Sequence, residues 1–165
     1  MGFFDKLLKK NVLELRSPLS GVVVPLDRVP DQVFAERMVG DGVAIDPSEG
    51  VVCAPCAGVV AALFSTCHAV GIRTDEGLEI LIHVGIDTVE MKGEGFSSAV
   101  QMGDRVVAGQ ELLRFDPALV RAKAPSALTP VVLTTMPLVE SFRAAQGMVT
   151  AGNDVLLSVV LKPLA

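Results

Sequence analysis

His68 and His83 are the only histidines in this 165-residue chain, and they flank the turn signal Thr74-Asp75-Glu76-Gly77. If the flanking runs pair as an antiparallel hairpin about Asp75 and Glu76, opposed residues have numbers summing to 151, a condition that 68 and 83 meet. The two side chains would then be cross-strand neighbours, with Cβ atoms roughly 4.5–5.5 Å apart. A three-residue loop closed by Gly77 moves the sum to 152 and puts the histidines on opposite faces, unless a further bulge restores the pairing. Two facing imidazoles in an apolar stretch can do nucleophilic, proton-transfer or metal chemistry near neutral pH.

Strand alternation would set Thr66 on the face of His68 and Gly85 on the face of His83, with Phe64 and Leu81 as apolar neighbours and Cys67 turned away. A nucleophilic histidine needs one unprotonated nitrogen, and its other nitrogen must be held as a donor. Gly85 would let a backbone carbonyl approach and play that part. A phosphoryl group on imidazole also needs donors for its oxygens, which a second imidazole and a threonine hydroxyl can supply. Zinc fits less well, because two histidines are too few for a structural tetrahedral site. Adding Cys53 and Cys56 leaves intervals of 11 and 14 residues that no zinc finger shows. Serine hydrolysis lacks a G-x-S-x-G elbow. Cys53-Ala54-Pro55-Cys56 has redox spacing but no βαβ pattern around it, and the odd count of three cysteines suits reduced thiols acting as small buried hydrophobes.

The elements that must position these groups read as short β-branched runs from about Leu15 onward: Gly21–Val24, Gly42–Ile45, Gly50–Ala54, Gly58–Phe64, Ala69–Thr74, Leu78–Val84, Arg105–Val107, Glu111–Phe115, Pro130–Leu133 and Asp154–Leu161. Asp41-Gly42, Glu76-Gly77, Met102-Gly103-Asp104 and Gly152-Asn153 punctuate them. Such spacing predicts an all-β fold, an antiparallel sandwich or barrel with few helices. Asp31–Met38 and Asp116–Lys123 are the short helical segments, the second entered through Asp116 as N-cap and Pro117 as first helical residue. Residues 1–14 read as an N-terminal helix and linker and 15–165 as one domain, its motif core about 32–136.

Half of the residues are hydrophobic, there is no Trp or Tyr, and the net charge of −5 comes without a basic cluster beyond the first ten residues. That balance argues against a nucleic-acid partner. Gly50 to Ile72 carries no formal charge, yet Pro55, Gly58, His68 and Gly71 interrupt it, so it reads as consecutive buried strands rather than a membrane span. No secretory segment opens the chain, which predicts a cytoplasmic protein. Met1–Lys10 sets Phe3, Phe4, Leu7 and Leu8 at helical spacing beside Lys6, Lys9 and Lys10. This is a small amphipathic helix suited to weak contact with an anionic membrane surface or to docking on the domain.

Several blocks closely resemble one family. They are Val33-Phe34-Ala35-Glu36, Val39-Gly40-Asp41-Gly42-Val43-Ala44-Ile45, Thr66-Cys67-His68-Ala69, and Leu81-Ile82-His83-Val84-Gly85-Ile86-Asp87-Thr88-Val89 running into Lys92-Gly93-Glu94-Gly95-Phe96. With Leu128-Thr129-Pro130-Val131-Val132 and the opening MGFFDKL, they are similar to the glucose-type enzyme IIA of the bacterial phosphoenolpyruvate-dependent sugar phosphotransferase system. The resemblance covers essentially the whole chain. It implies a β-sandwich of the duplicated hybrid motif type and a phosphotransferase component with a phosphohistidine intermediate. His83 would take a phosphoryl group on Nε2 from the histidine-containing phosphocarrier protein and pass it to an enzyme IIB domain of a sugar permease. His68 would assist donation, Thr66 would orient the His68 ring, and the Gly85 carbonyl would hold the His83 ring. Asp31 and Asp87 would meet an arginine of the phosphocarrier, and Phe34, Val39 and Phe64 would form the apolar docking surface.

The resemblance implies no required cofactor. It does imply that a regulated partner can add a carboxylate to His68 and His83 to complete a zinc site, and that permeases or kinases can be such partners. Cys67 stands where an asparagine is often found and Val70 where one branch has an aromatic. Two other classes stay open beside the phosphocarrier: a zinc-dependent hydrolase, which needs further metal ligands, and a non-catalytic regulatory interaction module, which would bind partners without either histidine.

Overall fold

The computed structural model describes residues 11–163. Its strands in chain order are β1 (Asn11–Arg16), β2 (Gly21–Pro25), β3 (Asp41–Pro47), β4 (Val51–Cys53), β5 (Gly58–Leu63), β6 (Ala69–Arg73), β7 (Glu79–His83), β8 (Phe96–Ser98), β9 (Arg105–Val106), β10 (Glu111–Phe115), β11 (Thr129–Leu133), β12 (Val139–Ala144), β13 (Met148–Val149) and β14 (Val155–Leu161). All ladders among the described residues are antiparallel. They form an eight-stranded sheet in the order β13-β2-β3-β11-β7-β6-β5-β9 and two three-stranded sheets, β1-β14-β12 and β4-β10-β8.

Alternation along the central strands divides the molecule into two apolar layers. Val43 and Ile45 of β3, Val70 and Ile72 of β6 and Ile80 and Ile82 of β7 enter the large core, which residues from both small sheets complete, among them Val52, Leu113, Leu157 and Val159. The expected antiparallel sandwich is therefore present. Residues on the opposite face of the large sheet feed a smaller cluster of Leu26, Val29, Phe34, Ala44, Ile86 and Val132, with Leu81 and Val39 packed against it. Ile80 and Ile82 are fully buried, each contributing about 1.5–3 kcal/mol by area. Their burial holds the odd-numbered residues of β7, Leu81 and His83, on the smaller-cluster face.

The β6–β7 hairpin corrects the two-residue-loop pairing. Its loop is Asp75-Glu76-Gly77: Thr74 N–H donates to Leu78 O at 2.9 Å, Gly77 N–H donates to Thr74 O at 3.0 Å, and Gly77 takes φ +93°. Opposed residues sum to 152, from Arg73 facing Glu79 to Ala69 facing His83. The left-handed glycine is what a three-residue loop requires, so His68 and His83 are not the register partners that a sum of 151 would make them.

Other differences have local causes. Beyond the expected runs the structure adds β1, β8, β12 and β13. Residues 11–14, expected as linker, begin β1 and pair with β14. The helix expected over Asp31–Met38 shortens to α1, Gln32–Ala35, where the Asp31 carboxylate accepts from the N–H groups of Val33 and Phe34. It stops because Arg37 turns left-handed at φ +60° while Arg37 and Met38 N–H donate back to Phe34 and Val33 carbonyls, a Schellman closure. Helix α2, Pro117–Lys123, begins at Asp116 with Pro117 in its first turn, as expected. Cys53, Cys56 and Cys67 carry free thiols and are half-buried rather than buried. Burial raises the Cys53 thiol and pushes that of Cys56 up to about 11, which disfavours thiolate redox chemistry. The amphipathic pattern of Met1–Lys10 lies outside the described residues.

Candidate active site

His83 ends β7, and the chain beyond it is braced so that one ring nitrogen is committed. Gly85 adopts φ +68°, and a Cβ there would come within 2.6 Å of Thr88 Cγ2 and 3.0 Å of Ser126 O. Only glycine meets both constraints. The resulting turn aims the Gly85 carbonyl at His83 Nδ1, 2.8 Å away. A carbonyl accepts only, so Nδ1 carries the proton and Nε2 of the neutral ring keeps its lone pair. Around this turn Thr88 Oγ1 donates to Val84 O at 2.5 Å, Ile86 N–H donates to Ser126 O at 2.9 Å, and Gly85 N–H donates to Thr129 Oγ1 at 3.4 Å. Thr129 is fully buried, its hydroxyl donating to Ala127 O at 3.0 Å.

His68 arrives by another route. It closes the loop between Phe64 and Ala69, and its Nδ1 lies 2.5 Å from Thr66 Oγ1. The His68 and His83 ring centroids are 5.0 Å apart with planes at 81°, an edge-on pair. Phe34 stands 5.1 Å from His83, and Phe64 stands 5.1 Å from His68. The loop thus restores the facing of the two imidazoles that the 152 register alone would remove.

Burial sets the charge state of both rings. It pushes His68 down to about 4, with the neighbouring His83 adding to the effect. Burial also lowers His83, opposed by the Gly85 carbonyl and by the charges of Asp31 and Asp87. Both imidazoles are neutral near pH 7. His68 is 2% exposed and His83 is half-buried, so His83 is the ring that an incoming group can reach.

Phe34 is buried beneath His83, Val39 packs against the same cluster, and Phe64 is 45% exposed on the rim. Asp31 caps α1 and Asp87 sits left-handed at φ 57° before the turn Thr88–Met91. The expected residues therefore converge on one face. Reading the sequence missed Thr129 and Thr88, because a buried threonine has no periodicity that distinguishes it from a packing residue. Among the described residues no group of three histidine, cysteine or carboxylate side chains could hold a metal ion. Zinc at the histidine pair would need ligands from another molecule, and the hydrolase reading lacks the further ligands it requires.

Residues 13–138 match the family described as phosphoenolpyruvate-dependent sugar phosphotransferase system, EIIA 1. The chain is 48% identical over 155 residues to a protein of Bacillus cereus named PTS system glucose-specific EIIA component, spanning 93% of this chain and 94% of that protein. A Haemophilus influenzae protein of the same name is 42% identical over 164 residues, 96% of this chain and 99% of its own length. A Staphylococcus saprophyticus glucose-specific EIICBA component matches over 124 residues at 48% identity, 75% of this chain but 18% of that longer protein. The solved glucose permease IIA of Mycoplasma capricolum superposes with a TM-score of 0.83 at 38% identity, covering 95% of this chain and 99% of that one. Likeness of this extent in sequence and fold goes well beyond a shared motif: the chain belongs to the EIIA 1 family of the phosphoenolpyruvate-dependent sugar phosphotransferase system.

Proposed function

We propose that this phosphoryl carrier of sugar uptake holds its phosphoryl group on His83 Nε2, taking it from the histidine-containing phosphocarrier protein and giving it to an enzyme IIB domain. The observation that carries this reading is the 2.8 Å contact of His83 Nδ1 with Gly85 O, which leaves Nε2 as the free nucleophile. The Nε2 lone pair attacks phosphorus as the donor's phosphorus–nitrogen bond breaks, the bonding electrons returning to the donor. The proton stays on Nδ1, donated to the Gly85 carbonyl, so the ring becomes a phosphoimidazolium that offsets part of the phosphoryl charge. That positive ring is also a good leaving group for the next transfer.

His68 supports the second step. Thr66 Oγ1 lies 2.5 Å from His68 Nδ1; in the tautomer in which the hydroxyl donates there, the neutral His68 ring carries its proton on Nε2 and can donate to a phosphoryl oxygen. Asp31 and Asp87 offer carboxylates to a cationic partner residue, and the exposed Phe64 with the half-buried Val39 offers the partner an apolar seat, while the buried Phe34 underlies His83. The EIICBA relative supports an enzyme IIB partner, since its name joins A and B parts in one component. The names of the relatives favour glucose as the sugar. No helix among the described residues is long and apolar enough to cross a membrane; membership of the phosphotransferase family supports a cytoplasmic site of action.

Incubation with phosphoenolpyruvate, enzyme I and the phosphocarrier tests the reading. The wild type should gain one acid-labile phosphoryl group and His83→Ala none; label on His83→Ala would sink it.

A further inference from the structure

The β6–β7 ladder creates a difficulty that Cys67 resolves. The pairing continues one step beyond Ala69 facing His83, because Val84 N–H donates to His68 O at 2.7 Å. In a continuing strand His68 would share its face with Val70 and Ile72, both fully buried in the large core. Its ring instead stands 5.0 Å from that of His83 and 5.1 Å from that of Phe64, on the other side of the sheet. The side chain therefore crosses from one face to the other within the loop Ser65–His68. That loop closes with Cys67 N–H donating to Phe64 O at 2.8 Å and Phe64 N–H donating to Ala69 O at 3.2 Å. Its one left-handed residue is Cys67, at φ +60°.

We infer that Cys67 is a positioning residue: its left-handed backbone carries the His68 ring onto the face of His83 and so enables onward donation of the phosphoryl group. This rests on the carrier reading above. The same turn sets Thr66 Oγ1 2.5 Å from His68 Nδ1, so the direction of the ring is held by a bond made within the turn itself. The thiol takes no part in the chemistry. It is half-buried, packs against the large core and makes one long contact to Ser65 O at 3.8 Å. What matters is tolerance of positive φ, which glycine and asparagine share and β-branched residues lack.

The experiment compares full-length Cys67→Gly, Cys67→Asn and Cys67→Val with the wild type. Three quantities are read: acceptance from the phosphocarrier, donation from the phosphorylated protein to enzyme IIB, and the nuclear Overhauser contact between the two imidazoles. Cys67→Gly and Cys67→Asn should keep all three within about threefold, whereas Cys67→Val should lose the inter-ring contact and about tenfold in donation while changing acceptance far less. Wild-type donation with the contact retained in Cys67→Val would overturn the inference, and so would equal loss of both steps with the contact retained. If Cys67→Val does not fold, Cys67→Ala takes its place: donation below that of Gly and Asn supports the inference, and equal donation overturns it. A wild type that accepts no phosphoryl group instead overturns the carrier reading, and the inter-ring contact across the series then decides the geometry alone.

Discussion

Replacing His68 by Gln should remove a defined part of the protein's acid sensitivity. The His68 ring is 2% exposed, and burial beside His83 pushes it from 6.5 down to about 4. Well above pH 6.5 neither the native nor the unfolded ring holds a second proton. As the pH falls from 6.5 towards 4, the unfolded chain takes up a proton that the native protein refuses, so stability decreases; below about 4 both states are protonated and the loss levels off. At 1.36 kcal/mol per pH unit the full window is worth about 3 kcal/mol, and about 2–3 kcal/mol is spent by pH 4.5. Glutamine cannot titrate and keeps an amide to meet the Thr66 hydroxyl. With no Trp or Tyr in the chain, urea unfolding at pH 4.5 to 7.5 is best followed by far-ultraviolet circular dichroism. The wild type should lose about 2–3 kcal/mol more than His68→Gln across that range. Curves that stay parallel to within about 0.5 kcal/mol would refute a neutral, desolvated His68.

Three further outcomes are expected. His68→Gln should accept a phosphoryl group at near the wild-type rate but donate it to enzyme IIB much more slowly, as a two-step transfer assay would read. Gly85→Ala should cost about 2–4 kcal/mol in urea unfolding from the left-handed φ and the Thr88 overlap, and phosphorylation should fall with it because the carbonyl leaves His83 Nδ1. Thr129→Val should strand the buried Gly85 N–H at a cost of about 1–3 kcal/mol, and Thr129→Ser should recover most of it; equal stability of the two variants would contradict the brace.

Much of this was legible because one periodicity carried it. Strand runs such as Glu111–Phe115 and Ala69–Thr74 follow from β-branched and aliphatic side chains bounded by turn residues, and α2 from the Asp116-Pro117 entry. Three of the four unexpected strands are short or mostly exposed: β13 has two residues, β8 three, and β12, Val-Glu-Ser-Phe-Arg-Ala, is mostly exposed or half-exposed. They are held by their ladders rather than by a pattern of their own. The pairing of His68 with His83 came from arithmetic whose register was off by one, since Gly77 could be read either inside or outside the loop. The rings nevertheless meet, through the left-handed turn at Cys67, and a cysteine gives no sequence cue for that conformation. Thr66 and Gly85 were placed by strand alternation, whereas in the structure a loop bond and a glycine turn bring them to the two rings. The buried brace at Thr129 depends on a contact 44 residues distant in sequence from Gly85, which no local pattern encodes.

The proposed carrier role requires His83 Nδ1 to keep its proton, donated to the Gly85 carbonyl, and Nε2 to take the phosphoryl group. The most direct test is nitrogen-15 magnetic resonance of the uniformly labelled protein after phosphorylation by phosphoenolpyruvate, enzyme I and the phosphocarrier. The His83 Nε2 resonance should show one-bond coupling to phosphorus, with Nδ1 still protonated and His68 unmodified. Phosphorus coupled to His83 Nδ1, or to either nitrogen of His68, would contradict it.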